Sequence, residues 1–149
     1  MRNIQNIIKT IIESGSFKTF IRIIQKAGLT YNLSNGGQYT IFAPNDAAFA
    51  KFPSEKIENL LNDKDRLLTV IKAHIIAKKV LSTSLMNLKK VKTINGKELI
   101  ISTSKGLKIN DVNIIKSDIE CSNGIIHTID NVLLLKWELG YLLHINSIN

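Results

Sequence analysis

The side chains best suited to chemistry are three histidines, His74, His127 and His144, and a single cysteine, Cys121. A neutral imidazole can serve as a general base or as a metal ligand. No two histidines stand at a spacing typical of zinc ligands, and no Gly-x-Ser-x-Gly nucleophile motif occurs. A Ser-His-Asp group gathered from distant segments stays open, because such triads assemble in space. We therefore predict structural histidines, no metal or cofactor and no enzymatic activity, with a hydrolase as the third alternative.

His127 lies in an apolar run, on the same side as Ile125, Ile129 and Leu133 if the run is a strand. A buried histidine needs hydrogen-bond partners, since its burial is otherwise costly. Asp130 would face the other way unless a bulge intervenes. A His127–Asp130 dyad along one strand is therefore not expected.

The positive charge is concentrated in one part of the chain, which we call the basic window (residues 66–97). From Arg66 to Lys97 there are eight basic residues and no acidic one, so the window accounts for the whole formal charge of +8. The window contains no aromatic residue that could stack on bases, which counts against recognition of single-stranded nucleic acid. The candidate anion-binding residues are Lys78, Lys79, Lys89, Lys90 and Lys92.

Helical patterns fill the first half of the sequence. Apolar residues recur at steps of three and four over residues 4–12 and 17–27, and Ser16 is predicted to cap the second of these helices. A helical turn is expected over residues 29–33, and a strand over residues 39–43 ends at Pro44. Further helices are predicted from Asn45 and Asp46, from residues 53–55, and from Asp63 or Asp65 with Leu67, Leu68, Ile71 and His74 on one face.

Short β runs with turn signals dominate the second half. Residues 91–94 and 99–102 flank Asn95-Gly96, a strong hairpin signal. Strands are also predicted over residues 107–109, 112–115 and 119–121, with a final pair around residues 125–134. Residues 136–145 suggest a terminal helix. Helices followed by strands indicate an α+β domain.

Two segments carry a family resemblance. The first signature, residues 40–49, reads Thr-Ile-Phe-Ala-Pro-Asn-Asp-Ala-Ala-Phe, and the second signature, residues 124–133, reads Gly-Ile-Ile-His-Thr-Ile-Asp-Asn-Val-Leu. Together they resemble the fasciclin-like domain family in composition, order and spacing. The matching residues are Thr40, Phe42, Ala43, Pro44, Asp46 and Phe49 in the first, and Gly124, His127, Ile129, Asp130, Val132 and Leu133 in the second.

The resemblance covers residues 3–135. The chain resembles a small, single-domain bacterial member of the family. This resemblance implies one domain over residues 1–149, a β-sandwich or wedge with mainly N-terminal helices around it, and an extension over residues 136–149. Between the signatures His74 matches the family's Tyr-His pair, but Ala73 replaces the tyrosine. That pair is implicated in integrin-dependent adhesion in animal relatives, so this specific activity is not expected.

The function implied by the resemblance is non-catalytic binding of a protein or glycan partner, as in cell adhesion. The alternative, argued from charge, is electrostatic binding of nucleic acid or another acidic polymer through the basic window. We expect a monomer without a transmembrane segment. The single cysteine and the lack of a secretory signal predict a cytoplasmic location, or an extracellular or periplasmic one if a leader has been removed.

Overall fold

The computed structural model describes residues 4–133 and shows an α+β architecture, as predicted. The predicted terminal helix, His144 and residues 1–3 and 134–149 lie outside the described residues. The helices are α1 Ile7–Ser14, α2 Lys18–Ala27, α3 Thr30–Asn35, α4 Asp46–Phe49, α5 Ser54–Leu61, α6 Lys64–Lys72 and α7 Ser82–Leu85. The strands are β1 Tyr39–Pro44, β2 Ile75–Ile76, β3 Lys90–Lys92, β4 Glu98–Ser102, β5 Lys108–Ile109, β6 Val112–Cys121 and β7 Gly124–Ile129.

The first two helices are amphipathic, as their spacing predicts, but the second begins differently. Asn6 caps α1 by accepting a hydrogen bond from the N–H of Lys9, at 2.8 Å. The prediction that Ser16 caps α2 is wrong, because Phe17 occupies that position and makes no side-chain cap bond. The carboxylate of Asp46 caps α2 instead, accepting from the N–H of Thr19 at 3.0 Å. Asp46 was expected to serve its own helix, α4, which Asn45 caps alone.

The seven strands form one mixed sheet in the order β2-β1-β7-β6-β5-β4-β3. The central strands β1 and β7 are parallel, with Tyr39 opposite Gly124 and Pro44 opposite Ile129, and the other pairs are antiparallel. Both central strands are buried along nearly their whole length, on both faces. Continuous apolar runs are typical of such doubly covered strands.

Two apolar cores lie on opposite faces of this central pair. The helical core packs α1, α2, α5 and α6 against Ile41, Ala43 and Ile126. The inner core lies within the curved sheet and contains Phe42, Ile129 and Leu133 together with residues of β3 to β6. Because neighbouring residues of a strand point to opposite faces, each signature contributes to both cores.

The hairpin predicted at Asn95-Gly96 joins β3 to β4, and Gly96 has the positive φ (82°) that such turns need. The two strands predicted over residues 112–115 and 119–121 are in fact one strand, β6, with register shifts before and after Lys116. Asp118 lies in this irregular part, with a φ of 60°. Because of the shifts, the sequence of β6 lacks the alternation that would have revealed a single strand. The expected final pair is the single strand β7.

α6 ends at Lys72, so His74 lies beyond the helix rather than on it. The buried face of α6 consists of Leu67, Val70 and Ile71, whereas Leu68 is only partly buried. The prediction that His74 shares the helical face is therefore wrong, whereas Leu68 packs against the helical core from the edge of that face. His74 instead leads directly into β2, and its carbonyl accepts from the N–H of Phe42 at 2.8 Å.

The two edge strands of the sheet approach each other at one point. The N–H of Ile94, just after β3, donates to the carbonyl of Ile75 in β2 at 2.9 Å. The sheet therefore bends round until its edges touch, which encloses the inner core. No helix within residues 4–133 has both the length and the apolar character to cross a bilayer.

Candidate functional site

The loop that follows β2 is held by side chains from both signatures. The hydroxyl of Thr40 donates to the carbonyl of Lys78 at 2.6 Å and accepts from the N–H of Val80 at 2.8 Å. His127 Nε2 lies 2.8 Å from the carbonyl of Val80. Three hydrogen bonds thus fix the backbone of residues 78–80 against the central strands.

Both ring nitrogens of His127 are engaged by the backbone. Nε2 must carry the proton, because its partner is a carbonyl, and Nδ1 accepts from the N–H of Asp118 at 3.2 Å. The ring stacks on Phe42 with a centroid distance of 5.7 Å. Burial lowers the pKa of His127 below its usual value, so the ring is neutral at pH 7.

His74 is engaged in the same way but as the opposite tautomer. Nδ1 donates to the carbonyl of Val70 at 2.8 Å, and Nε2 accepts from the N–H of Leu133 at 2.9 Å. The side chain is almost completely buried and contacts the ring of Phe20. Burial lowers the pKa of His74 to about 4.

These contacts bear directly on the hydrolase alternative. Neither His74 nor His127 has a ring nitrogen left to take a proton from a nucleophile. Ser82 lies close to His127 in the fold, but its hydroxyl donates to the carboxylate of Asp118 rather than to a histidine. Serine, histidine and aspartate side chains thus lie near one another. A triad would need the serine hydroxyl to donate to the histidine, and here it donates to the aspartate.

Asp118 was not identified from the sequence, although it joins α7 to β6. Its carboxylate accepts from both the hydroxyl and the N–H of Ser82 and therefore binds the start of α7. Partial burial raises the pKa of Asp118, but the hydrogen bonds from Ser82, together with smaller contributions from His127 and Ser117, outweigh it, and the net pKa is lowered. Its partners are distant in sequence, so no local pattern marks it.

The remaining polar residue of the second signature is Asp130. Its carboxylate accepts from the N–H and the side-chain amide of Asn113, at 3.3 and 3.1 Å, and its carbonyl accepts from Nζ of Lys51. These contacts lie at the far end of β7 from the loop after β2. Asp130 therefore joins β6 and the α4 region rather than His127.

Gly124 is required by the close approach of the parallel strands. A Cβ at this position would lie 2.1 Å from the carbonyl oxygen of Tyr39. The side chain of Asn123 donates to the carbonyls of Leu33 and Gly36 and accepts from the N–H of Ile7. It ties α1 and α3 to the start of β7.

The other signature side chains are interior. Within residues 4–133 the buried set includes Phe42, Ala43, Phe49, Ile129, Val132 and Leu133. Pro44 is also buried, at the end of β1. Cys121 is buried as well, and burial raises the pKa of its thiol, which makes it a poor nucleophile. The described residues hold no cluster of histidine, cysteine or carboxylate side chains suited to a metal ion.

The five candidate anion-binding lysines of the basic window are exposed and lie in two parts of the chain. Lys78 and Lys79 lie in the loop after β2, whereas Lys90 and Lys92 lie on β3 and Lys89 directly precedes it. Acidic residues just outside the window partly balance it: Lys90 pairs with Glu98 at 3.1 Å and Arg66 with Asp63 at 3.3 Å. The net positive charge of this part of the surface is therefore smaller than the basic residues of the window alone indicate.

The paired signatures and the sheet that they build have counterparts among known proteins. The family model described as Fasciclin domain matches residues 15–135. The chain belongs to the fasciclin domain family. A solved pair of FAS1 domains from the insect cell adhesion molecule Fasciclin I superposes with a TM-score of 0.78 over 90% of this chain and 52% of that one, at 19% identity. That likeness concerns the fold alone.

Relatives of this fasciclin domain include both small and large proteins. Protein sll1735 of Synechocystis sp. is 34% identical over 130 residues, which cover 87% of this chain and 98% of that protein. Transforming growth factor-beta-induced protein ig-h3 of Sus scrofa is 33% identical over 118 residues, but these are only 17% of its length. The similarity to ig-h3 thus extends to one part of a much longer protein.

Proposed function

We propose that this fasciclin domain is a non-catalytic binding module of the adhesion type, which recognises a protein or glycan partner on its surface. The observation that carries the proposal is the use of the signature side chains. Thr40 and His127 of the signatures, and His74 between them, form hydrogen bonds with backbone groups of the same chain. What the signatures provide is a rigid scaffold, so recognition falls to exposed residues.

Family membership supports the same proposal. The solved FAS1 domain pair with this fold comes from a molecule described as a cell adhesion molecule. The fold does not fix a function by itself, because function depends on the site. The proposal therefore rests on the internal use of the signature residues, with the relatives as secondary support.

The test is to immobilise the folded chain and screen it against a glycan array and against a displayed library of protein fragments. We expect saturable binding of at least one ligand, lost after heat unfolding, and recovery of that ligand chemically unchanged. Two variants, Ser82→Ala and His127→Gln, address catalysis. Turnover that either variant abolished without changing the melting temperature would contradict the proposal.

A second candidate, electrostatic binding of an acidic polymer, is favoured by one observation. Within residues 4–133 no ion pair involves Lys78, Lys79, Lys89 or Lys92, and all four are exposed. Such binding should depend on salt rather than on the shape of the ligand. A polymer that stays bound at high salt would instead indicate a shaped anionic site.

We further infer that the chain acts as a single-domain monomer. We also propose the compartment that the sequence indicates, which is the cytoplasm, with an extracellular or periplasmic location as the alternative if a leader has been removed. Sedimentation at micromolar concentration tests the first inference, and fractionation of the native cells tests the second. A concentration-dependent dimer would overturn the monomer.

A further inference from the structure

The hydrogen-bond pattern of β3 fixes which backbone groups point to its neighbour. The carbonyl of Lys89 accepts from the N–H of Ile101 at 2.9 Å, and the N–H of Thr93 donates to the carbonyl of Lys97 at 2.8 Å. Successive residues of a strand direct their N–H and C=O groups to opposite sides. The main-chain N–H and C=O groups of residues 89, 91 and 93 therefore point to β4, whereas those of Lys90 and Lys92 point away from it.

The outward side of β3 is a free edge. β3 is the last strand of the sheet, and within residues 4–133 no hydrogen bond engages the main chain of Lys90 or Lys92. Two N–H and two C=O groups thus form a short template for an added strand. The next residue with the same orientation, Ile94, already uses its N–H in this direction, donating to Ile75 of β2.

The Ile94–Ile75 contact also joins the end of β3 to β2, the strand that leads into the loop with Lys78 and Lys79. β2 runs from Ile75 into the loop that contains Lys78 and Lys79, both exposed. The gap between the edge of β3 and that of β2, which we call the seam, is therefore closed at Ile94, and the segments on its two sides carry Lys90 and Lys92, and Lys78 and Lys79. Glu98, which pairs with Lys90, is the acidic side chain opposite Lys92 on β4.

We propose that the seam accepts an extended, acidic peptide segment of a partner protein, which adds to the edge of β3 as a further strand. Main-chain bonds to Lys90 and Lys92 supply the pairing, and carboxylates on alternate residues meet the lysines. A second copy of this chain is a poor occupant, because two β3 edges would bring Lys90 and Lys92 against their own copies. This inference rests on the proposed binding function and specifies the chemistry of the partner.

The test uses a fluorescein-labelled peptide of alternating glutamate and valine and the whole chain labelled with ¹⁵N. In the free chain we expect rapid hydrogen exchange at the amides of Lys90 and Lys92, and slow exchange at Val91. The peptide should slow exchange at Lys90 and Lys92 and shift their resonances. Amides already protected in the free chain, or protected by raised protein concentration alone, would show an occupied edge and refute the proposal.

Modified peptides separate strand addition from charge attraction. N-methylation of alternate residues along the pairing edge removes main-chain donors and should weaken binding about tenfold or more. Equal affinity of the methylated peptide would reduce the interaction to electrostatics and overturn the proposal. A peptide of alternating lysine and valine should not bind.

Variants of the chain complete the test. The double variant K90Q/K92Q keeps the backbone and should weaken binding about fivefold. Glu98→Gln frees Lys90 from its ion pair and should strengthen binding. Lys26→Gln on α2 is the matched control and should leave affinity unchanged. If the acidic peptide does not bind but the glycan or protein-fragment screen yields a ligand, the binding function stands and the seam is not its site. If neither screen yields a ligand, the proposed binding function itself is contradicted.

Discussion

The N–H of Leu133 donates to Nε2 of His74 at 2.9 Å, which joins the end of the second signature to the segment before β2. Both partners are buried, and Nδ1 of the same ring holds the carbonyl of Val70. Protonation of Nε2 would place two donors face to face. The contact therefore requires a neutral His74.

This requirement makes the domain sensitive to acid. Unfolded His74 takes up a proton near pH 6.5, whereas folded His74 does so only at about pH 4. The stabilisation is complete above pH 6.5 and is lost as the pH falls towards 4, because the unfolded state then binds more protons. We expect a loss of about 3 kcal/mol in unfolding free energy from His74.

Denaturant unfolding between pH 7.5 and 4 measures this loss. The variant His74→Gln, whose amide can both donate and accept, should show a shallower pH dependence than the parent chain. His127, whose pKa is also lowered, accounts for part of the remaining slope. An unchanged slope in His74→Gln would contradict the assignment.

Thr40→Val should lower the unfolding free energy by about 2 kcal/mol. The substitution keeps the shape of the side chain but leaves the carbonyl of Lys78 and the N–H of Val80 without their partner. Thr40→Ser, which retains the hydroxyl, is the control and should lose less. Hydrogen exchange at the Val80 amide should accelerate only in the valine variant.

Gly124→Ala should prevent stable folding or cost more than about 4 kcal/mol, since the new Cβ would overlap the main chain of Tyr39. Gly96→Ala is the comparison. Gly96 has a positive φ but open space around it, so its loss should cost about 1 kcal/mol. Thermal unfolding followed by circular dichroism ranks the two, and similar melting temperatures would argue against the close approach of β1 and β7.

Retention on heparin should be weak and should vanish as salt rises from roughly 50 to 300 mM, because the exposed lysines act through counterion release. Charge-neutral variants at Lys78 and Lys79 should elute earlier on a salt gradient than the parent chain. Retention that persists at high salt would contradict this expectation.

Local patterns predicted the elements that local contacts build. The spacing of Ile7, Ile8 and Ile11 indicated α1, and Asn95-Gly96 indicated the hairpin. The order of helices and strands indicated the α+β class, and the two signatures indicated the fasciclin family. What the sequence did not reveal depends on partners far along the chain.

The capping of α2 is the clearest case. Ser16 has the right residue type for a cap, but Phe17 occupies the cap position, and Asp46 of the first signature reaches the N–H of Thr19 from 27 residues away. Asp118 and Asn123 hold loops through contacts with segments dozens of residues away. The sequence on either side of each residue gives no indication of such bonds, so only the three-dimensional structure identifies them.

The parallel pairing of β1 with β7 has a consequence for synthesis of the chain. β1 leaves the ribosome early, but the strand that pairs along its whole length is among the last described segments to emerge. Until then the apolar face of β1 and the helices packed on it lack their central partner. We therefore expect the nascent chain to remain incompletely folded, and open to chaperones, until the second signature has been translated.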